Sequence, residues 1–414
     1  MESGLFPNFG HLGTGHLNTG EHARNTGGPD WRGSARPPVV LQVLPELVTG
    51  GAERGCIDVA LALAAAGAVP LVASQGGPMA RELDRAGITH LTLPLKSKNP
   101  WRMHRNAKAL ERIIRERGVD IVHARSRAPA WSGWLAARAT GARFMTTFHA
   151  PYNFSNPLKR HYNSVMARGE RVIAISDFIR DHILSSYDTD PARIRVIHRG
   201  IDSAVFAPDR VSPARIATLA NRWRLDDGRP VVLLPGRLTR WKGQSVMIEA
   251  LARLGRRDLL CLLVGSDQGR TGYREELERM ITTRGLGGVV RITDHCDDMA
   301  AAYLLSTVVV SASREPEAFG RVIAEAQAMG RPVIVTSTGA YRETVLEGET
   351  AWVVPPDDPT SLAAAVEQAL NLTEERRAGM GDRAIDFVNG RFTRERMCAD
   401  TLGVYEELLT PGIR

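Results

Sequence analysis

The sequence predicts an α/β protein: two Rossmann-like domains, each a doubly wound parallel sheet, facing each other across a cleft. Three observations lead there. The 414 residues exceed what one ordinary core holds and suit two domains. Short apolar runs alternate with Ala-rich or amphipathic stretches, the βαβα order of a parallel sheet covered by helices. The order also starts twice, at Val39 and at Val231, each time with a strand-like run that leads into glycine.

The elements follow in turn. Residues 1–37 are rich in Gly, His, Asn and Thr and carry no apolar run, so they are expected to be a disordered tail. Val39–Leu44 reads as a buried strand, Gly50-Gly51 as a turn and Ala52–Ala66 as a helix. Strands at 70–74, 90–93, 120–124, 144–148 and 171–175 complete the first unit. Helices at 79–86 and 101–117 lie between them; in the latter, Met103, Ala107, Leu110, Ile113 and Ile114 recur at helical spacing. The second unit repeats the order, with strands at 231–235, 259–264, 289–293, 308–311 and 332–336. The domains are expected at 38–206 and 207–385, and the stretch 386–414 is expected to end in a helix that packs back on the first domain.

Composition narrows the function. Hydrophobic residues make up 43% and charged residues 24%, a globular mixture with no run long enough to span a membrane. Cys56, Cys261, Cys296 and Cys398 are scattered, which argues against a zinc site or a disulfide framework and fits a reducing, cytoplasmic setting. Residues 1–200 carry 26 Lys and Arg against 16 Asp and Glu, whereas the rest carries 27 against 30. A basic first half favours an anionic partner: phosphorylated lipid or glycan, or an anionic membrane met peripherally. Aromatic side chains for base stacking are not interleaved with these charges, so no nucleic-acid partner is expected.

In open α/β sheets, ligands bind beyond the carboxyl ends of the strands, so residues just after strands carry the chemistry. Glu317-Ala318-Phe319-Gly320 leads into an Ala-rich helix that holds Glu325. Two carboxylates at this spacing can accept hydroxyls from one ligand, and Gly320 at a helix start lets backbone amides approach a phosphate. The apolar neighbours of Glu325, Val322, Ile323, Ala326 and Met329, place it in a buried setting where it needs a partner. After the strand at 231–235 comes Gly236-Arg237-Leu238-Thr239-Arg240-Trp241-Lys242-Gly243, in which Arg237 and Lys242 can converge on a diphosphate. Gly50-Gly51 lets the backbone turn sharply and aims a helix N-terminus at the cleft. His149, His123 and Arg125 each follow a strand; the last two are candidates for the acceptor side. Asp188-Thr189-Asp190 lies in a polar turn before Pro191, so it is read as a loop and not a metal site.

The stretch from Glu317 to Glu325 resembles the E-x7-E motif of the GT4 family of retaining glycosyltransferases, and Gly236–Gly243 is similar to its G-R…K-G loop. That resemblance spans about Val39 to Leu370 and implies a GT-B fold. It implies that Glu317 faces the donor sugar, with Phe319 and Gly320 in the same donor motif, and that Glu325 takes the ribose hydroxyls. Arg237 and Lys242 would neutralise the leaving diphosphate in place of a metal, so neither cofactor nor metal is expected. Gly50 and Gly51 would border the donor phosphate, His149 would contact the sugar near the reacting carbon, and Asp294-His295 would frame the base. The expected substrates are a UDP- or GDP-sugar and a glycan or lipid-linked acceptor. Leu47–Arg54 and His123–Arg127 look like the bacterial branch that builds lipopolysaccharide or exopolysaccharide. One departure stands out: the family's Asn-Gly-Ile-Asp is preceded and altered here as His198-Arg199-Gly200-Ile201-Asp202. The competing readings are a nucleotide-sugar 2-epimerase of the same fold and a non-catalytic nucleotide-sugar-binding protein. The first would need another acid/base set in the cleft.

Overall fold

A computed structural model describes residues 28–48, 50–225 and 227–410. Seven parallel strands form the first sheet: β1 (Val39–Val43), β2 (Val69–Ser74), β3 (Thr89–Thr92), β4 (Ile121–Ala124), β5 (Arg143–Phe148), β6 (Arg171–Ala174) and β7 (Ile194–Val196). Their spatial order is β3-β2-β1-β4-β5-β6-β7. The second sheet has six: β8 (Val231–Pro235), β9 (Leu260–Val264), β10 (Val290–Thr293), β11 (Val308–Ser311), β12 (Val333–Thr336) and β13 (Ala351–Val354). Its order, β10-β9-β8-β11-β12-β13, repeats the first. The expected two doubly wound domains are therefore present. Edge strands β7 and β13 escape a periodicity reading, being three and four residues long with little apolar contrast to their flanks.

The central strands are buried on both faces, which is why they read as continuous apolar runs: β8 and β9 are buried at every residue. Two apolar clusters sandwich the second sheet. In the first domain, the helix Pro100–Arg117 starts on Asn99, whose side chain accepts from the amides of Trp101 and Arg102, and stops at Gly118 in the left-handed region. Leu110 and Ile114 bury its apolar face, and its arginines stay outside.

Strand order also fixes where a site can form. In each sheet the order reverses between the first and fourth strands, β1 and β4 or β8 and β11, and a crevice opens beyond their carboxyl ends. The loops there hold Gly50-Gly51, Arg125, Arg237 and Glu317.

The chain crosses between domains twice. Ile201 donates its amide to the Phe392 carbonyl (2.8 Å), and Arg394 donates to the Ile201 carbonyl (2.8 Å), so the two crossings run side by side. A Cβ on Gly200 would stand 2.5 Å from the Arg394 Cα, so only glycine fits that approach. The second crossing lies past the 385 boundary read from the sequence, because the helix Glu374–Arg391 continues unbroken through it. Beyond it, the helix Arg394–Leu409 packs Met397, Leu402, Tyr405 and Leu408 against Val40, Ile121, Met145 and Ile173 of the first domain.

The tail needs a correction. Residues 1–27 lie outside the described residues, but 28–37 are ordered against the domain. The Trp31 amide donates to the Ala66 carbonyl (2.7 Å), and Trp31 packs on the same cluster as the last helix. A single tryptophan in a polar stretch gives no periodicity, so the sequence did not reveal this docking.

Candidate active site

The second domain supplies most of the charged groups. Beyond β8, the backbone turns at Gly236 and again at Gly243 (φ 72°), where a Cβ would stand 1.8 Å from the Ala312 carbonyl oxygen. Close contact with the strand-end loop of β11 is thus built into that glycine; the Arg314 amide also donates to the Trp241 carbonyl (2.7 Å). The approach brings Lys242 to Glu317, and the two form an ion pair. Ser313 donates its hydroxyl to the same Glu317 oxygen (2.6 Å), and the Lys242 ammonium stands 4.4 Å from the Trp241 ring centre. Arg237 is exposed, and its guanidinium has no hydrogen bond among the described residues.

Glu317 itself is fixed by backbone. Gly339, in the left-handed region (φ 73°), bridges to Glu317 and leaves no room for a side chain: a Cβ would lie 2.2 Å from the Glu317 carbonyl oxygen. The helix Arg321–Ala328 begins at Gly320 (φ 81°) and carries Glu325 in its second turn. Glu325 is buried and accepts from the Tyr303 hydroxyl (3.0 Å) and from Arg321 (2.9 Å). Burial raises its pKa, against the pull of Arg321 and the tyrosine hydroxyl.

Phe319 does something else than its place in the motif suggests. It is 4% exposed and packs edge-on against Phe392 (ring centres 5.2 Å apart), in the apolar cluster of the first domain. It works as a wedge between domains. Around it the domains are bonded together. Ser176 donates to the Ala318 carbonyl (2.7 Å), and Glu343 accepts from the Asp177 and Phe178 amides (2.6 and 2.9 Å) and pairs with His198 (2.9 Å). Burial alone would raise the Glu343 pKa, but these three partners bring it below the usual value. Asp177, His198 and Glu343 are close enough to hold a cation, yet the Glu343 oxygens are already occupied by amides and imidazole.

From the first domain, the helix Gly51–Ala65 points its N-terminus into the cleft. Gly50, its cap, has φ 143° and supplies no side chain; Thr49 lies outside the described residues. A Cβ on Gly51 would stand 3.5 Å from the Arg321 side chain, which shows how closely the two helix N-termini approach across the cleft. His149 follows β5, and its Nε2 is buried with no partner among the described residues. Burial, then Arg199 and Arg125, push its pKa well below 6.5, so the ring is neutral.

One candidate sits elsewhere than the sequence suggested. His123 is fully buried, with Nδ1 2.7 Å from the Tyr405 hydroxyl and Nε2 2.7 Å from the Thr147 hydroxyl. Both nitrogens are spent within the fold, so it offers nothing to an acceptor. Strand ends alternate inward and outward, and a single sequence does not say which a histidine will be. Asp294 and His295 are exposed and pair with Arg274 (2.8 Å) and Asp297 (3.2 Å). They line a hollow of about 390 Å³ with Arg222, Trp223, Arg224 and Arg291.

Sequence reasoning missed Arg199 and Arg321. Arg321 lies inside the motif but was passed over beside its two glutamates. Arg199 was visible only as a departure from the expected Asn.

Two doubly wound domains, with cations and carboxylates at both switch points, define the class of two-domain GT-B glycosyltransferases. Comparison with known proteins gives the family. Residues 49–205 match the family described as Glycosyltransferase Family 4, and residues 216–387 match Glycosyl transferases group 1. The chain is similar to a glycosyltransferase of known structure from Rickettsia africae, at 37% identity and a TM-score of 0.85, covering 91% of this chain and 100% of that one. It is similar to the D-inositol 3-phosphate glycosyltransferase of Jonesia denitrificans, 28% identical over 309 residues, 69% of this chain and 71% of that protein. It shares its fold with Anabaena HepE, solved with UDP-glucose, at 22% identity and a TM-score of 0.78, covering 90% and 100%. The chain belongs to this glycosyltransferase family and is a glycosyltransferase.

Proposed function

We propose that the enzyme moves a hexose-type sugar from a UDP- or GDP-sugar to a glycan or lipid-linked acceptor in lipopolysaccharide or exopolysaccharide synthesis, with retention and without a metal. The observation that carries this is the Lys242–Glu317 ion pair at the carboxyl ends of β8 and β11. A donor replaces it with two better contacts: Lys242 and the unpaired Arg237 turn to the diphosphate, and Glu317 turns to the sugar hydroxyls. Glu325 keeps free acceptor positions on both oxygens for the ribose. Neutral His149 offers its unpartnered Nε2 to the sugar. As the bond from the anomeric carbon to the phosphate oxygen breaks, negative charge develops on the diphosphate. Arg237, Lys242 and the two helix N-termini stabilise it there. The acceptor oxygen bonds to the same face of that carbon and passes its proton to the leaving phosphate. Cations already meet the diphosphate, so a divalent ion has no task left in this scheme.

Relatives support the substrate classes: one is named for transfer to inositol 3-phosphate, and a fold neighbour was solved with UDP-glucose. The test is a screen of UDP- and GDP-sugars by thermal shift and by released nucleotide, on the wild type and on Glu325→Ala and Lys242→Ala. Stabilisation by one nucleotide, lost in both variants, is the expected result. Stabilisation by none of them overturns the site.

Among the described residues no helix is long and apolar enough to cross a membrane. Peripheral contact is favoured by Trp101, 81% exposed on the arginine-rich helix Pro100–Arg117, and by Leu158, 83% exposed on the helix Pro157–Ser164. Sedimentation with anionic vesicles at low salt checks it; protein left in the supernatant sinks it.

A further inference from the structure

Arg199 is only 5% exposed, yet its guanidinium makes no hydrogen bond or ion pair among the described residues. It lies along the first turns of the helix Gly51–Ala65, in space that two glycines leave free. A Cβ on Gly55 would stand 2.5 Å from its Nη1, and one on Gly51 would stand 3.2 Å from its Nη2. Arg125 is 4% exposed; its Nε donates to the Gln42 side chain (2.7 Å), but its Nη2 is buried without a partner. Asp58 and Glu53 act on Arg199 through space, but neither carboxylate bonds to it. Asp58 is held by Arg54 (3.1 Å), and Glu53 folds back over Gly50. Burial, with Arg321 and Arg125 nearby, pushes the Arg199 pKa down to about 9 against the pull of Asp58 and Glu53. A buried cation that no carboxylate bonds is costly, and such a cost is typical of a group that receives a ligand.

We infer that Arg199 and Arg125 form a pocket beside Gly51 for an anionic group, phosphate or carboxylate, on the sugar acceptor. The inference rests on the proposed donor site at Arg237 and Lys242, from which this pocket is distinct. Both arginines stand on the first domain, after β7 and β4, whereas the donor-side groups come from the second. The N-terminus of the helix Gly51–Ala65 adds its amides to the same place.

The test uses the full chain saturated with UDP, titrated with glucose, glucose 6-phosphate and glucuronate and followed by thermal shift. Binding of either anionic sugar but not glucose is expected, and the preferred one identifies the anion. Arg199→Gln and Arg125→Gln should weaken that binding at least about tenfold, the loss of one charge-assisted contact, while UDP affinity stays within about twofold. Without ligand, Arg199→Gln should melt no lower than the wild type, since it removes an unpaired buried charge; that separates lost binding from lost folding. Anion binding unchanged in Arg199→Gln, or no anion binding to the wild type, overturns the inference. So does binding that competes with UDP and vanishes in Lys242→Ala, which would put the anion on the donor site. Failure of UDP to bind, with the anions still bound through Arg199, would remove the donor reading alone.

Discussion

Lys242 pairs with Glu317, and in the proposed scheme it releases that carboxylate when a donor enters. Lys242→Ala therefore has two effects: it removes a charge from the developing diphosphate and leaves Glu317 free of its ion pair. Turnover is expected to fall about 10²–10³-fold, the usual loss for one group aimed at transition-state charge. A rate within about threefold of wild type would show that the diphosphate lies elsewhere. His123 illustrates the opposite kind of residue. It looks reactive in sequence but ties the last helix to the first sheet through Tyr405. Tyr405→Phe leaves a buried ring nitrogen unpaired and is expected to cost about 1–3 kcal/mol in denaturant unfolding. An unchanged unfolding midpoint would deny that bond a structural role.

At the scale of elements, short loops after β8, β11 and β12 lock into one another through glycines. Gly243 approaches Ala312, and Gly339 approaches Glu317 so closely that each excludes a Cβ. Gly339→Ala places a methyl inside the Glu317 backbone at a positive φ. It is expected to lose about 2 kcal/mol or more of stability and most donor affinity together. Gly320 tests the distinction, since it also has positive φ but open space around it. Gly320→Ala should cost only the conformational term of about 1–2 kcal/mol. Equal losses in the two variants, read by thermal unfolding and UDP titration, would count against the locking role of Gly339.

The whole molecule is held closed by few polar contacts between domains. Glu343 is the hub, bonded to the start of the helix Asp177–Ser186 and to His198. Glu343→Ala is expected to enlarge the radius of gyration of the ligand-free enzyme in solution scattering, and donor should restore part of it. An unchanged radius would mean that the Phe319–Phe392 wedge and the Ser176–Ala318 bond hold closure without Glu343. Stability should also depend on pH through His123 and His149, whose folded pKa values lie well below 6.5. Below that pH the unfolded chain binds protons that the folded chain refuses, so stability rises with pH up to about 6.5 and levels off above. Each ring contributes up to about 1.4 kcal/mol per pH unit below it. Buried Glu325 and Asp58, raised by burial, act in the opposite sense at lower pH. The stability lost between pH 7.5 and 5.5 should shrink in His123→Asn, and an undiminished loss would assign the effect to other groups.

Much of this was legible in the chain. The doubled βα order and the glycines that follow β1 and β8 specify two doubly wound domains, because a parallel strand buried on both faces must be apolar throughout. The spacing of Glu317 and Glu325, and of Arg237 and Lys242, names donor-site candidates because strand-end loops are local features. Residues far apart in sequence were decided only by tertiary structure. The contact of Lys242 with Glu317, the burial of His123 under Tyr405 and the wedge of Phe319 against Phe392 all join distant segments. Arg199 is the clearest case: its sequence shows an arginine at a domain joint, but only packing against Gly51 and Gly55 shows a buried charge that no carboxylate bonds among the described residues. Local pattern fixes secondary structure and strand ends, while burial and pairing depend on which segments meet.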